Sequence, residues 1–490
     1  MKNFRAIVIL SALGLMALAS GCNFAPKYQQ PLVQTPAAFK ENDGWKKAEP
    51  SDGLIKGNWW ESFNDPALNA LEAQVAISNQ SVIAALENFF SARALTKESR
   101  AAYYPTIGVD PSVTRSRSAR SGNSLVVVSN SATFSTYSLP ADASWQPDLW
   151  GAVRNTVRAN AYAAQGDAAI LENMKLSAQA DLAVDYYLLR GQDELIQLYQ
   201  DTVKAYSNSL DLTTTLYQTG IDSELDQAQA DALLQTILAQ ADALSIQRAQ
   251  YEHAIAVLIG QPASTFSIKP AKTHFHAPSI PIGMPSQLLE RRPDVATAER
   301  TVAAANAQIG VTRAAYFPTL SLTGTAGYQS TSLSSLISPP SFFWSVGADL
   351  SETIIDFGKR KYANQQAWAN YRSTVASYRE TVLTAFQQVE DNLAALRILA
   401  SETHQQESAV KASQKSLDLS MDRYRLGVAS YLNVITAQEA LLGNQQTAVT
   451  LRTQQLTSSV QLILALGGGW TNLDLPSPSK LVLKSSTNGN

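Results

Sequence analysis

Four stretches of the chain alternate apolar with small or polar residues at a period of two, as strands with two unlike faces do. The clearest runs from Phe342 to Ser351. Phe342, Trp344, Val346, Ala348 and Leu350 share one face, while Ser345, Gly347, Asp349 and Ser351, with Phe343, take the other. Its hairpin partner, Thr319 to Tyr328, sets Leu320, Leu322, Ala326 and Tyr328 against Thr319, Ser321, Thr323 and Thr325. In an earlier pair, Ile107, Val109 and Val113 alternate with Asp110, Ser112 and Thr114. Opposite them, Tyr137, Leu139, Ala141, Ala143 and Trp145 alternate with Ser138, Asp142, Ser144 and Gln146. Ser/Asn/Gly-rich and Ser/Pro-rich stretches, Ser118 to Ser131 and Ser330 to Ser341, join the strands of each pair as loops. Segments of ~10 residues patterned this way fit the wall of a membrane β-barrel. A soluble antiparallel sheet with one buried face gives the same alternation, so the pattern alone leaves both open.

The rest of the pattern is helical and long. Asp65-Pro66 precedes Ala67, Leu68, Leu71 and Val75, whose spacing predicts a helix running toward Tyr103 and stopped by Pro105. No proline occurs between Pro147 and Pro262 or between Pro340 and Pro476, and no glycine from Lys359 to Leu426. An unbroken helix of ~68 residues there would reach roughly 100 Å. Gly220 and Gly427 fit C-terminal stops, each followed by a second helix of about 35 to 40 residues. Gly166 and Gly191 interrupt the pattern of the first long helix. A coiled-coil stalk is the alternative reading. A strict a/d heptad of Leu and Ile is missing, however, and Ala and small polar residues cover much of the surface. That suits helices side by side with one face on water-filled space.

These elements occur twice. Ala-Ala-Tyr-Tyr-Pro-Thr-Ile from Ala101 returns as Ala-Ala-Tyr-Phe-Pro-Thr-Leu from Ala314. The glycine pairs Gly151/Gly358, Gly220/Gly427 and Gly260/Gly467 are each about 207 residues apart by subtraction of their positions. A duplicated unit of strand hairpin plus helical hairpin follows. The expected layout is a signal segment 1–21, an extended arm 22–58, a first repeat 59–270, a linker 271–291, a second repeat 292–475 and a tail 476–490.

The N-terminus changes the picture. Lys2 and Arg5 precede an apolar run from Ala6 to Ala19, then Ser20, Gly21 and Cys22, the single cysteine of the chain. This reads as a secretory signal, and Ala19-Ser20-Gly21-Cys22 resembles the bacterial lipobox. That resemblance implies a covalent lipid on Cys22 as the only prosthetic group. Asn23 follows where an inner-membrane retention signal has Asp, which implies sorting to the outer membrane. The lipobox and the long helices favour the membrane reading of the strands. A net charge of −3 gives no basic field for nucleic acid, and no second apolar run of ~18 residues predicts a transmembrane helix.

Four strands in lipid leave two open edges whose N–H and C=O groups no water satisfies. Closure must come from other copies of the chain. Two copies give eight strands, which side chains fill, and three give twelve, which leave room for a channel. The small residues of the polar faces favour the homotrimer.

The most specific segment is Ile-Pro-Ile-Gly-Met-Pro-Ser-Gln-Leu-Leu-Glu-Arg-Arg-Pro-Asp-Val, Ile280 to Val295, followed by Ala307-Gln308-Ile309-Gly310 and Ala314-Ala315-Tyr316-Phe317-Pro318. With Trp60-Glu61-Ser62-Phe63, Asp65-Pro66-Ala67-Leu68 and Asp148-Leu149-Trp150-Gly151, nearly the whole mature chain resembles outer-membrane efflux lipoproteins of the OprM/NodT type, within the TolC family. The resemblance implies a mixed α and β fold: a twelve-stranded barrel in outer-membrane lipid, continuous with a helical tunnel and an equatorial domain. It also implies work as the passive exit duct of a tripartite pump for drugs or other small toxic compounds. The partners would be an inner-membrane RND transporter and a periplasmic adaptor (membrane fusion) protein. The family's entrance lies at the helix tips, where a Tyr three before the second glycine bonds an Asp six after the first. Here these are Tyr424 and Asp226. A family Arg two after that glycine is Ala429. Leu432 matches a pore-narrowing Leu, while two commonly acidic positions hold Asn433 and Thr436. Asp222, Glu224 and Asp226 place acid on the other tip, as a collar around the entrance or as ordinary helix caps.

An enzyme reading finds no nucleophile elbow or phosphate loop. His274 and His276 lack a nearby cysteine or paired carboxylate, and the methionines are unclustered, so no metal site is predicted. Arg291, Arg292, Lys359 and Arg360 read as ties between helices. The remaining alternatives are a lipid-anchored trimeric coiled-coil stalk and a type I secretion duct.

Overall fold

In a computed structural model, residues 23–41, 58–117, 133–271, 277, 278, 280 and 290–477 are described. The signal segment, Cys22, the loop 118–131, His274, His276 and most of the Ile280 to Val295 motif lie outside them.

The strands are β1 (Thr106–Val109), β2 (Ser112–Arg117), β3 (Thr133–Trp145), β4 (Thr319–Ser330) and β5 (Phe342–Ser351). The helices are α1 (Pro66–Ser78), α2 (Gln80–Ala101), α3 (Ala152–Gln218), α4 (Glu224–Leu258), α5 (Pro293–Ala314), α6 (Lys359–Arg425) and α7 (Tyr431–Ala465). The first predicted strand is two segments, because Pro111 has no N–H to give the ladder. Register with β3 is unbroken across the gap, from Thr106 opposite Ser144 to Arg117 opposite Thr133.

All segments form one antiparallel sheet, with β1 and β2 on one side of β3 and β4 then β5 on the other. Register matches like with like. Leu320 faces Leu350, Leu322 faces Ala348, Ala326 faces Trp344 and Tyr328 faces Phe342. Leu139 faces Tyr328 and Ile107 faces Ala143 on the same side. On the opposite side Thr325 Oγ1 donates to Asp142 Oδ1 at 2.6 Å. Among the described residues the apolar face is left largely uncovered: Trp344 is 69% exposed and Val346 79%. Among the described residues the outer edges of β1/β2 and of β5 are unpaired.

The predicted helix from Asp65 to Tyr103 is two helices. Asn79 ends α1 and caps α2, its Oδ1 accepting from the backbone N–H groups of Ser81 and Val82 at 3.0 and 3.1 Å. Its Nδ2 is spent on Leu258 O of α4 at 2.8 Å, so the break docks α1–α2 on the end of the first helical hairpin. Helices α3 and α6 have 67 residues each, about 100 Å, and α4 and α7 have 35 each. All six landmark glycines have positive φ, between 70° and 93°. The sequence repeat is therefore a backbone repeat, and a Cβ at any of the six would strain it. Gly191 does not break α3; it admits a close approach of α7, described below.

The described arm, residues 23–41, is extended and tied along the shaft. Phe24 stacks on Phe317 (centroids 4.3 Å), which stacks on Trp150 at 5.0 Å. Asn306 Nδ2 donates to Pro26 O, Gln30 Nε2 to Tyr378 Oη, and Glu390 accepts from the N–H groups of Lys40 and Glu41. Arg292 does tie elements together, donating to Ala465 O of α7 and Gln388 Oε1 of α6, both at 2.9 Å. Arg360 bonds Asp356 and Thr353 O nearby and also lies over the Tyr316 ring, 5.6 Å from its centroid, which ties the start of α6 to the segment after α5.

Candidate functional site

Both helical hairpins turn at the same end of the molecule. Helix α3 closes with Gly220 N–H donating to Tyr217 O and Ile221 N–H to Leu216 O. Helix α6 closes with Gly427 N–H to Tyr424 O and Val428 N–H to Arg423 O. The pattern is a Schellman turn with glycine in the left-handed position.

Across this junction Tyr424 donates its hydroxyl to Asp222 Oδ2. The expected partner was Asp226, and the structure corrects it. Asp226 is the third residue of α4 and is held in a capping box. Its N–H donates to Ser223 Oγ at 3.3 Å, and Ser223 Oγ donates back to its carboxylate at 3.0 Å. Asp222, one residue before the cap, has an oxygen free for the tyrosine, and its other oxygen accepts from Ser223 N–H at 2.9 Å. Ser-x-x-Asp spacing before a helix signals such a box, so the cap was readable in the sequence.

The two carboxylates perturb each other in opposite directions. Burial pushes Asp226 up, and the neighbouring Asp222 adds to the rise. Burial also works against Asp222, but hydrogen bonds from Asp226, Tyr424 and the Ser223 N–H outweigh it and hold that carboxyl below its usual range. The pair titrates as a unit with the proton on Asp226. Burial, then the hydrogen bond to Asp222, raises the Tyr424 phenol, keeping it a donor.

Beneath this contact the Tyr424 and Tyr431 rings lie 5.2 Å apart, over Ala230 and Val434. Leu432, Asn433 and Thr436 take the other side of α7's first turns and are exposed, with Leu432 at 56%. Thr436 Oγ1 donates only to Leu432 O of its own helix. Glu224 is exposed in the first turn of α4. The structure thus brings Tyr424, Asp222 and Asp226 together and leaves Leu432, Asn433, Thr436 and Glu224 facing outward. Among the described residues no group of three or more His, Cys, Asp or Glu is placed to hold a metal, and no helix is long and apolar enough to cross a membrane.

An unsupported apolar sheet face, aromatic residues at its base and paired helical hairpins ending in a polar junction define an outer-membrane channel protein. Residues 68–261 and 284–468 match the family described as outer membrane efflux protein, and the chain belongs to that family. It is 32% identical over 461 residues to the solvent efflux pump outer membrane protein SrpC of Pseudomonas putida, spanning 93% of this chain and 97% of that one. It is 29% identical over 469 residues, 94% and 97% of the two chains, to the pyoverdine export outer membrane protein OpmQ of Pseudomonas aeruginosa. Among solved structures it superposes on the outer-membrane channel OprN with a TM-score of 0.86 at 26% identity, covering 92% of this chain and 100% of that one. The open state of the MtrE outer membrane channel of Neisseria gonorrhoeae matches with a TM-score of 0.81 at 26% identity, over 92% and 99%. The family is one of channels rather than enzymes, located in the outer membrane and reaching into the periplasm.

Proposed function

We propose that three copies of this chain close one barrel and one helical tunnel, forming the exit duct of a tripartite efflux pump for drugs or other small toxic compounds. A periplasmic adaptor and an inner-membrane RND transporter complete the pump and supply its energy. The observation that carries this reading is the antiparallel sheet β1–β5, with both outer edges unpaired among the described residues and an apolar outer face, continuous with helices of 67 residues. Open edges in lipid cost several kcal/mol per unsatisfied group, so the sheet has to be completed by further copies. The breadth of cargo in the relatives' names, solvents in one and pyoverdine in another, fits a duct that passes what its transporter selects.

Two residue roles belong to the same reading. Cys22 carries the lipid, a reading supported by the pinning of the residues that follow it, Asn23 and Phe24, against Asn155, Phe317 and Trp150. The Tyr424–Asp222 contact holds the periplasmic end shut, with Leu432, Asn433 and Thr436 facing the pore. The full-length protein is expected to migrate as a heat-labile trimer in mild detergent and to conduct ions in planar bilayers at a low level. Deleting its gene should sensitise cells to solvents or antibiotics. A heat-insensitive monomer with no conductance rejects the duct. An unmodified Cys22 in the mass of the mature protein rejects the anchor.

A further inference from the structure

The contact between Tyr424 of α6 and Asp222 of the α3–α4 turn lies at the tip end of a polar seam between α3 and α7, helices from different copies of the repeat. Roughly 14 Å further up the shaft, at 1.5 Å per residue from the end of α3, Ser209 is 4% exposed. Its hydroxyl donates to Ala205 O of its own helix at 3.1 Å, which leaves its oxygen as an acceptor. Gln438 Nε2 of α7 donates to that oxygen at 3.0 Å, and the Tyr431 hydroxyl, on the same helix, pairs with the Ser209 hydroxyl. Tyr431 is 1% exposed and Gln438 4%, and they stand two turns apart on one helix face. Tyr431 also packs its ring on Tyr424, so the outer and inner contacts share one stack. Further up, the seam continues through Gln446 on Tyr199 and Arg452 on Glu194. It ends where Gly191 meets Thr453, too close for even a β carbon between them.

We infer that Ser209, Tyr431 and Gln438 form a second, inner latch that keeps the tip closed together with Tyr424 and Asp222. The α3/α4 and α6/α7 hairpins then part only between the tip and the Gly191–Thr453 contact. The inference rests on the tip being the gate. A seam that parts into water is suited by polar groups, because each released hydroxyl or amide is hydrated at once. Here the closed state even leaves buried groups to be gained: among the described residues, Gln438 Oε1 and the Tyr206 hydroxyl have no hydrogen-bond partner. Opening satisfies both.

The test is planar-bilayer conductance of the full-length reconstituted protein. Ser209→Ala and Tyr431→Phe each remove one oxygen and little volume, and each is expected to raise mean conductance roughly threefold to tenfold. Together they should give little more than either alone, since both cut bonds to one hydroxyl. Added to Tyr424→Phe, either should exceed Tyr424→Phe by itself. Val434→Ala is the control for loosened packing, at a fully buried neighbour. A rise in that control equal to the others overturns the latch. So does parent-level conductance in Ser209→Ala and Tyr431→Phe while Tyr424→Phe still opens the channel, an outcome that spares the outer gate. If Tyr424→Phe is silent too, the tip is no gate and both readings fall.

Discussion

Gly191 of α3 and Thr453 of α7 approach so closely that a β carbon on the glycine would stand 2.5 Å from the threonine Oγ1 and 3.3 Å from its Cβ. Threonine cannot easily turn away, because it is β-branched and its hydroxyl is bonded to Val449 O at 3.0 Å. In an isolated helix Gly→Ala gains about 1 kcal/mol. Overpacking of this kind costs about 1–3 kcal/mol, so the clash wins. Gly191→Ala is expected to lower the heat-dissociation temperature of the oligomer, and Thr453→Ala in the same chain to restore it. A Gly191→Ala protein as stable as the parent would show that the seam can spread without loss.

Tyr424 and the two aspartates separate by their hydrogen bonds. Tyr424→Phe and Asp222→Asn both weaken the contact that bridges the hairpins, and Asp226→Asn leaves it in place. The contact sits near water, so its worth is discounted to about 0.5–1 kcal/mol per subunit. In mild acid, where Asp226 already holds its proton, single-channel conductance is expected to rise in the first two variants and to change little in the third. The reverse order, with Asp226→Asn as the opener, would restore the pairing that sequence resemblance implied.

That mispairing marks where the sequence stopped being legible. Alternation placed β5 at its true ends, and like-with-like faces survived into the register, because period-two patterning is set by which side of the sheet meets lipid. Glycines needing positive φ marked the start or end of each long helix. The Tyr424 partner turned on something smaller: which of two acids, four residues apart, Ser223 had already claimed as its capping partner. The inner seam was harder still. Ser209, Tyr431 and Gln438 look like ordinary helix-face residues until two distant helices meet. Asn79 likewise breaks a helix through a bond to Leu258, 179 residues away, which no local pattern reports.

The same acids predict a pH profile. Asp226 is raised in the closed tip, so closure is favoured as pH falls from neutral through its raised value and the proton binds there. Asp222 is lowered, so the stability it lends the closed state is present above the ordinary aspartate range and lost as pH drops through its lowered value. Conductance is therefore expected to pass through a minimum in mild acid and to climb again in strong acid. Asp226→Asn mimics the protonated form and should flatten the limb between neutral and mild acid. A profile that rises steadily from neutral downward in the parent protein contradicts the sharing of the proton.

Glu72 of α1 makes the last prediction, one about stability. It is fully buried, and neither carboxylate oxygen has a hydrogen-bond partner among the described residues. Burial alone pushes its carboxyl well above the ordinary glutamate range. An acid raised in the folded state binds its proton more tightly there than in the unfolded chain, so folding is penalised once the unfolded chain ionises. The penalty is absent below the ordinary glutamate value and grows as pH rises from there toward the folded value. Glu72→Leu keeps a side chain of similar bulk and removes the charge, and replacing an uncompensated buried acid this way is worth about 1–3 kcal/mol. The variant should therefore melt above the parent at neutral pH, followed by the helical circular-dichroism signal, and the gap should shrink toward pH 4. A gap independent of pH would mean that the gain comes from apolar packing alone. A variant less stable than its parent at neutral pH would mean that the carboxylate has a partner in the assembled channel.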